Sequence, residues 1–276
     1  MIHNLPEITK KHHEKINGAT AMKITSWNVN SIRARLGHVL DWAEENQPDL
    51  LCLQETKVHD EVFPLEMFGD KGWTVHLNGQ RTYNGVALIS EDPVTDILTD
   101  TGVDVLDEQK RIIAGTINGV RVYNLYVPNG KEVGSPSFEF KEAWYKAFTK
   151  FLHDNHSPDE KIVICGDFNI SPEDIDTHDP EKWRRKVLFS DQEHTWLKAL
   201  MDFGLTDTFR HLYPEEQAFS WWDYRAGGFP RNHGMRIDLQ LVTKPLLNQL
   251  KAVTMDKDER AKERPSDHIP VTLELK

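Results

Sequence analysis

The stretch KIVICGDFN (161–169) decides how this chain folds. Its body, Ile162-Val163-Ile164-Cys165, is continuously apolar and rich in β-branched residues, the pattern of a strand buried on both faces. It then runs into an acid and an amide, Asp167 and Asn169, which are costly to desolvate unless something satisfies them. The same figure recurs along the chain. Met22–Val29 reads as a strand whose end carries Trp27-Asn28-Val29-Asn30, and Asp49–Leu53 ends at Gln54-Glu55-Thr56. Met235–Val242 holds Asp238 between Ile237 and Leu239, and Ser266-Asp267-His268 immediately precedes a strand at Ile269–Leu275.

Between these strands lie others at Gly85–Ser90, Arg111–Ile117 and Arg121–Val127, and three helical patterns. Ser31–Asn46 spaces Ile32, Leu36, Val39, Leu40 and Ala43 at helical intervals and closes at Pro48. Pro136–His153 sets Phe140, Trp144, Ala147, Phe148, Phe151 and Leu152 on one face. Asp191–Phe203 opens with Ser190 and Glu193 in capping-box register and stops at Gly204. Strands and helices mix without strict alternation, which predicts an α/β sandwich of packed sheets with helices outside.

The composition narrows the class. A chain of 276 residues buries a substantial core, and its eight Trp and twelve Phe argue against disorder. No apolar run approaches the ~20 residues that span a bilayer. Residues 1–21 lack the apolar segment of a secretory signal and read as a polar, mobile leader. Cys52 and Cys165 each sit inside an apolar run, so two buried thiols and a reducing cytoplasm are expected. The net charge of −11 speaks weakly against a polyanionic partner, because acids that hold a metal count against the total while a local basic rim still attracts phosphate.

Any one Asn or Asp at a strand end is more simply a turn former. Repeated delivery of acid, amide and imidazole from buried strands points to one polar site on a rigid scaffold. Glu55 and Asp267 offer the hard oxygens that suit Mg²⁺, and no Cys/His spacing supports zinc. His268 beside carboxylates can stay protonated and face a phosphate, while Asp167 can orient or deprotonate a water.

Taken together, WNVNSIRARL (27–36), PDLLCLQETKVHDEVFP (48–64), YNGVAL (83–88), KRIIA (110–114), NLYVPNG (124–130), GDFNISPEDID (166–176), GLTDTFRH (204–211), FSWWDYR (219–225), RIDLQL (236–241) and PSDHIPV (265–271) resemble the exonuclease III family of DNA-repair nucleases, within the DNase I-like superfamily. The motifs are collinear and span nearly everything after Met22. The resemblance implies one catalytic domain over 22–276, a four-layered α/β sandwich with two mostly antiparallel sheets flanked by helices. It implies a Mg²⁺-dependent monomer, with Mn²⁺ as substitute, acting on double-stranded DNA, including abasic sites and blocked 3′ ends. Activities expected are 3′-to-5′ exonuclease, 3′-end cleaning and incision 5′ to abasic sites. The alternatives are an exonuclease with little abasic activity, another superfamily phosphoesterase, or a silent DNA-binding module.

By position, the resemblance makes Glu55 the main metal ligand with Asn28 and Asp267 around it. Asp167, Asn169 and Asn30 are further metal positions, although Asn30 is an Asp in some relatives. It makes Asp167 the acid/base group, Asn169 and Tyr126 phosphate contacts, and Asp238 the partner that orients His268. Arg111 joins Lys57, Arg81, Lys110, Lys131, Arg225 and Arg236 as candidate DNA contacts, each with a solvated surface charge as the alternative. Trp221, Met235 and Ile237 are expected around the pocket for an extruded sugar or terminal nucleotide. One departure stands out: His178, in SPEDIDTHDP (171–180), replaces the small Gly of abasic-site-incising exonuclease III. It is either a surface histidine in a variable loop or a bulky group bordering the cleft.

Overall fold

The computed structural model describes residues 21–276, so the leader expected over 1–21 lies, but for Ala21, outside the described residues. In chain order the strands are β1 (Met22–Asn28), β2 (Leu50–Gln54), β3 (Thr74–Asn78), β4 (Val86–Ser90), β5 (Thr95–Leu98) and β6 (Ile112–Ile117). They continue with β7 (Val120–Tyr126), β8 (Ile162–Asp167), β9 (Leu205–Asp207), β10 (Asp238–Thr243), β11 (Leu250–Met255) and β12 (Val271–Leu275). One six-stranded sheet runs β11-β12-β1-β2-β4-β3 and the other β5-β6-β7-β8-β10-β9.

Each sheet holds one parallel pair at its centre, β1 with β2 and β7 with β8; the other pairings are antiparallel. A parallel neighbour needs a crossover, and the helices Ile32–Asn46 and Pro136–Asn155 supply one each. They cover the outer faces of the two sheets, which gives the four layers expected.

Period-two alternation explains the apolar runs. Leu50 and Cys52 face the other sheet, packing with Val163 and Cys165, while Leu51 and Leu53 face outward beneath Val39, Leu40 and Trp42. Ile162 and Ile164 point outward under Trp144, Phe148 and Leu152. Both thiols are free and buried, as expected.

Local chemistry places the helix ends. Ser135 accepts from Phe138 N ahead of Pro136, and Ser190 and Glu193 form a reciprocal capping box at Asp191–Met201. Gln47 ends the first helix in the left-handed conformation, before Pro48.

Three strand boundaries differ from expectation by two residues or more. The KIVIC strand continues through Asp167, paired on both sides. The strand expected from Met235 begins at Asp238, because Met235 is engaged in single bridges with Thr177 and Trp221. The strand expected from Ile269 begins at Val271, after Pro270, which has no N–H to give a ladder. Among the described residues, no helix is long and apolar enough to cross a membrane.

Candidate active site

The carboxyl ends of the two central parallel pairs meet. Asn28, the last residue of β1, donates from Nδ2 to Glu55 Oε1 and to Asp167 Oδ2, both at 2.9 Å. Glu55 directly follows β2, and Asp167 closes β8. Gly166 makes that close approach possible: its φ is 141°, and a Cβ there would lie 1.9 Å from Leu125 O.

Around this junction several non-glycine residues adopt the left-handed conformation, among them Asn30 (φ 45°), Glu55 (51°), Lys57 (56°) and Asn169 (49°). Each costs on the order of 1 kcal/mol and persists only where its surroundings hold it.

In register, Asp167 stands opposite Tyr126 of β7 and Asp238 of β10. His268 comes from the segment before β12. Its Nδ1 lies 2.9 Å from Asp238 Oδ2 and its Nε2 3.7 Å from Asp167 Oδ2. Two serines fix these groups: Ser220 Oγ accepts from the Ile237 and Asp238 amides, and Ser266 Oγ accepts from His268 N and donates to Asn28 O.

Asn169 completes the floor. Its backbone N–H donates to Asp167 Oδ1 at 2.9 Å, its Nδ2 to Val127 O at 2.9 Å, and its Oδ1 accepts from Asn129 Nδ2 at 2.8 Å.

Charge is divided sharply between the acid and the imidazole. Burial pushes the Asp167 carboxyl up to about 7, against the lowering pull of His268, with Asp238 and Glu55 adding to the rise. Burial alone would lower His268, but the carboxylates of Asp238 and Asp167 raise it to about 10. Burial works against Asp267 too, yet His268 and the Trp221 N–H hold its carboxyl below the usual range. Desolvation and then Glu55 push the Tyr126 phenol well up, beneath an Arg111 guanidinium 4.6 Å from its ring centre.

Ligand atoms of Asp167, Asp238 and His268 lie within 4.8 Å of one another. Within this trio His268 Nδ1 is engaged by Asp238 and Nε2 faces Asp167. Across Asn28 stands Glu55. Lys57 Nζ lies 2.9 Å from Glu55 Oε2 and also bonds Asn30 Oδ1, while Asn30 Nδ2 donates to Asp267 Oδ1 at 3.0 Å. These hard oxygens already gather one positive charge, so the donor set fits a Mg²⁺-like ion.

A cleft of about 570 Å³ opens from Glu55 and Tyr126 along Lys57, Arg111, Asn129 and Lys131. Trp221 donates Nε1 to Asp267 Oδ2 at 3.0 Å and packs with Met235, Ile237 and Leu188 in one apolar cluster. Arg236 is a correction to the expected DNA rim. It is fully buried, with Nε and Nη2 on Asp176 at 2.7 and 2.8 Å, and Nη1 and Nη2 on Asp207 at 3.0 and 2.7 Å. Arg225 by contrast is 90% exposed. His178 is half-buried: its ring stacks on His233 at 4.7 Å, lies edge-on to Trp183, and Nδ1 bonds Gly234 O.

Residues 25–268 match the profile of the endonuclease/exonuclease/phosphatase family. The chain belongs to this family. Its similarity to exodeoxyribonuclease III of Haemophilus influenzae, 38% identity covering 92% of the chain and 100% of the relative, places it in the exonuclease III branch. Among solved structures, the 3′ phosphatase NExo of Neisseria, bound to a product DNA hairpin, matches at 44% identity and TM-score 0.89, over 93% of this chain and 100% of that one. An AP endonuclease of Archaeoglobus fulgidus matches at 36% identity and TM-score 0.89, over 92% and 99%. Ser220, Ser266, Asn129 and Lys141 escaped sequence reasoning, although Lys141 left a signal: a lysine three residues from both Phe138 and Trp144, on the apolar face of its helix.

Proposed function

We propose that this protein is a Mg²⁺-dependent phosphodiester hydrolase of double-stranded DNA in base-excision repair, working as a cytoplasmic monomer. The substrate class follows the names of its relatives, and one observation carries the chemistry. A carboxyl near 7 stands beside an imidazolium near 10, at the junction of Asn28, Glu55 and Asn169.

In this reading ionised Asp167 takes the proton of the attacking water. His268, oriented by Asp238, donates to the phosphoryl oxygen that gains negative charge, and Asn169 donates to the same group through the second hydrogen of its amide. Tyr126 and Arg111 contact the phosphate from the β7 side. Glu55, with Asn28, Asn30 and Asp267, would hold the ion. A bound Mg²⁺ supplies Lewis-acid stabilisation of the phosphate oxygens, and Mn²⁺ can replace it. The P–O3′ bond breaks as the water oxygen bonds phosphorus, and the leaving oxygen takes a proton from solvent, which gives a 3′-hydroxyl and a 5′-phosphate. Release of 3′-terminal nucleotides from duplex DNA, with EDTA and Mg²⁺ add-back, tests the reading; full activity in EDTA would end it.

Glu55→Gln is expected to raise the Mg²⁺ concentration for half-maximal rate by roughly tenfold or more, because an amide replaces an anionic hard ligand. Duplex affinity should change little, since the phosphate-contacting groups remain. An unchanged Mg²⁺ titration curve would take Glu55 out of the ion site.

In the same reading the bulk of His178 favours 3′-terminal substrates over internal abasic sites. His178 is braced by His233 and Trp183, so it cannot swing aside freely. His178→Gly should therefore raise abasic incision about tenfold, the effect of roughly 1.4 kcal/mol, while 3′-end removal stays near the parent rate. Equal changes on the two substrates, measured side by side, would return His178 to a structural role.

A further inference from the structure

Lys141 is a buried ion pair partner that the proposed chemistry does not use. It lies in the helix Pro136–Asn155 among Phe138, Trp144 and Phe148, and its side chain and that of Glu193 are both 0% exposed. An ammonium has three N–H donors, and here each has an acceptor: Glu193 Oε1, Asn129 O at 3.1 Å and Asn169 O at 2.7 Å. The two carbonyls belong to the two residues whose side-chain amides are bonded to each other at 2.8 Å. One turn further on, Tyr145 Oη donates to Phe168 O at 2.9 Å, so a single helix face grips the turn that carries Asp167 and Asn169.

Glu193 is itself fixed. Its Oε1 accepts from Leu188 N at 3.0 Å, and its Oε2 from Ser190 N and Oγ at 3.0 and 2.7 Å. A buried pair of charges is a weak source of stability alone, since a well-packed apolar pair of similar volume commonly does as well. An apolar side chain cannot, however, supply donors that set the spacing of two carbonyls. Asn169 also holds a left-handed backbone (φ 49°), which its surroundings must impose.

We infer that Lys141 is a positioning residue. It fixes the Asn129 and Asn169 amides at the phosphate site, and Glu193 is the neutralising anchor that keeps it there. This rests on the reading of Asn169 as a phosphate donor. The effect should be large because displacement of a catalytic donor by about 1 Å can cost on the order of 10²-fold.

The test compares the parent, Lys141→Met, Glu193→Gln and the double variant on duplex DNA with a recessed 3′ end. Lys141→Met should lose roughly tenfold to 10²-fold in single-turnover rate at saturating DNA, with DNA affinity little changed, because only the group acting on the phosphate has moved. Its thermal midpoint should fall as well, since Glu193 is left buried without a partner. Glu193→Gln alone should fall between parent and Lys141→Met in rate. In the double variant the amide introduced by Glu193→Gln keeps the capping-box acceptor and removes the orphan charge. Stability should then recover while the rate stays low. Recovery of both would show that Lys141 only neutralises Glu193 and would overturn the inference, as would a parent-like rate in Lys141→Met. Should that variant fail to fold, the rate of the double variant decides alone.

Side-chain amide resonances of Asn129 and Asn169 provide a readout independent of turnover. They should shift in every variant lacking Lys141, and unshifted resonances overturn the inference. Shifted resonances in a protein whose parent form cuts no DNA would support the positioning role and sink the nuclease reading instead.

Discussion

Asp167→Asn is expected to slow single-turnover hydrolysis by ~10²–10⁴-fold, the usual contribution of a positioned general base. The replacement is nearly isosteric. Its carbonyl can still accept from the Asn169 amide or from Asn28, so the turn should keep its shape and duplex binding should persist. Burial is the chief reason the parent carboxyl titrates near 7. A raised carboxyl pKa means that the protonated, inactive form dominates below 7 and the ionised base above it. The parent rate should therefore climb with pH and level off above about 7, and the variant should lose that limb along with its rate. Because the variant removes a desolvated charge set between Asp238 and Glu55, its thermal midpoint should equal or exceed the parent's. A variant that cuts within tenfold of the parent and keeps the acidic limb would move the base to another group.

How much of this was legible before the structure depended on burial. Strands whose two faces are both covered wrote themselves into the chain as continuous apolar runs, as in Leu50–Leu53, Val86–Ile89 and Ile162–Cys165, and these were read correctly. The four strands that were missed, β3, β5, β9 and β11, are the outer strands of the two sheets. Exposure leaves them short, polar or interrupted: Thr95–Leu98 is largely exposed and β9 has three residues. The site followed the same logic. Asn28, Glu55, Asp167 and Asn169 were conspicuous because each is polar where an apolar strand should end.

What escaped was carried by residues whose role depends on contacts far along the chain. Ser266 is unremarkable until its hydroxyl is seen bridging His268 N and Asn28 O, which are 240 positions apart. Arg236 looked like a DNA contact because it adjoins Ile237 and Asp238. It lies ahead of β10, and its guanidinium is buried on Asp176 and Asp207, where it ties the loop after Asn169 to the end of β9. The two buried carboxylates that claim its charge lie 60 and 29 positions away, so proximity in sequence misled.

His268→Ala should cost ~10²–10³-fold in the single-turnover rate, the scale expected for removing one donor aimed at developing negative charge. A simple rate loss does not separate a charged donor from a packing role, but the Asp238 contact does. Burial tends to strip the proton from His268, and Asp238, the largest opposing influence, with Asp167 keeps it on up to about pH 10. In the proposed mechanism the protonated form is the active one, so the parent rate should hold from about 7 and fall as pH rises through about 10. Asp238→Asn keeps the hydrogen-bond acceptor and the shape, yet removes the charge that raises the imidazole. The alkaline fall should then move to lower pH, toward the ordinary imidazole range near ~6.5, narrowing the active window from its upper side. Near pH 7 this variant should be slow, and lowering the pH should recover little, because Asp167 is protonated below about 7. Adding His268→Ala to Asp238→Asn should cost little more than His268→Ala alone, because the two act as a unit. If the alkaline limb stays in place in Asp238→Asn, or the two losses simply multiply, the aspartate does not act through the imidazole, and the charge on the phosphate is met by Asn169, Tyr126 and Arg111 instead.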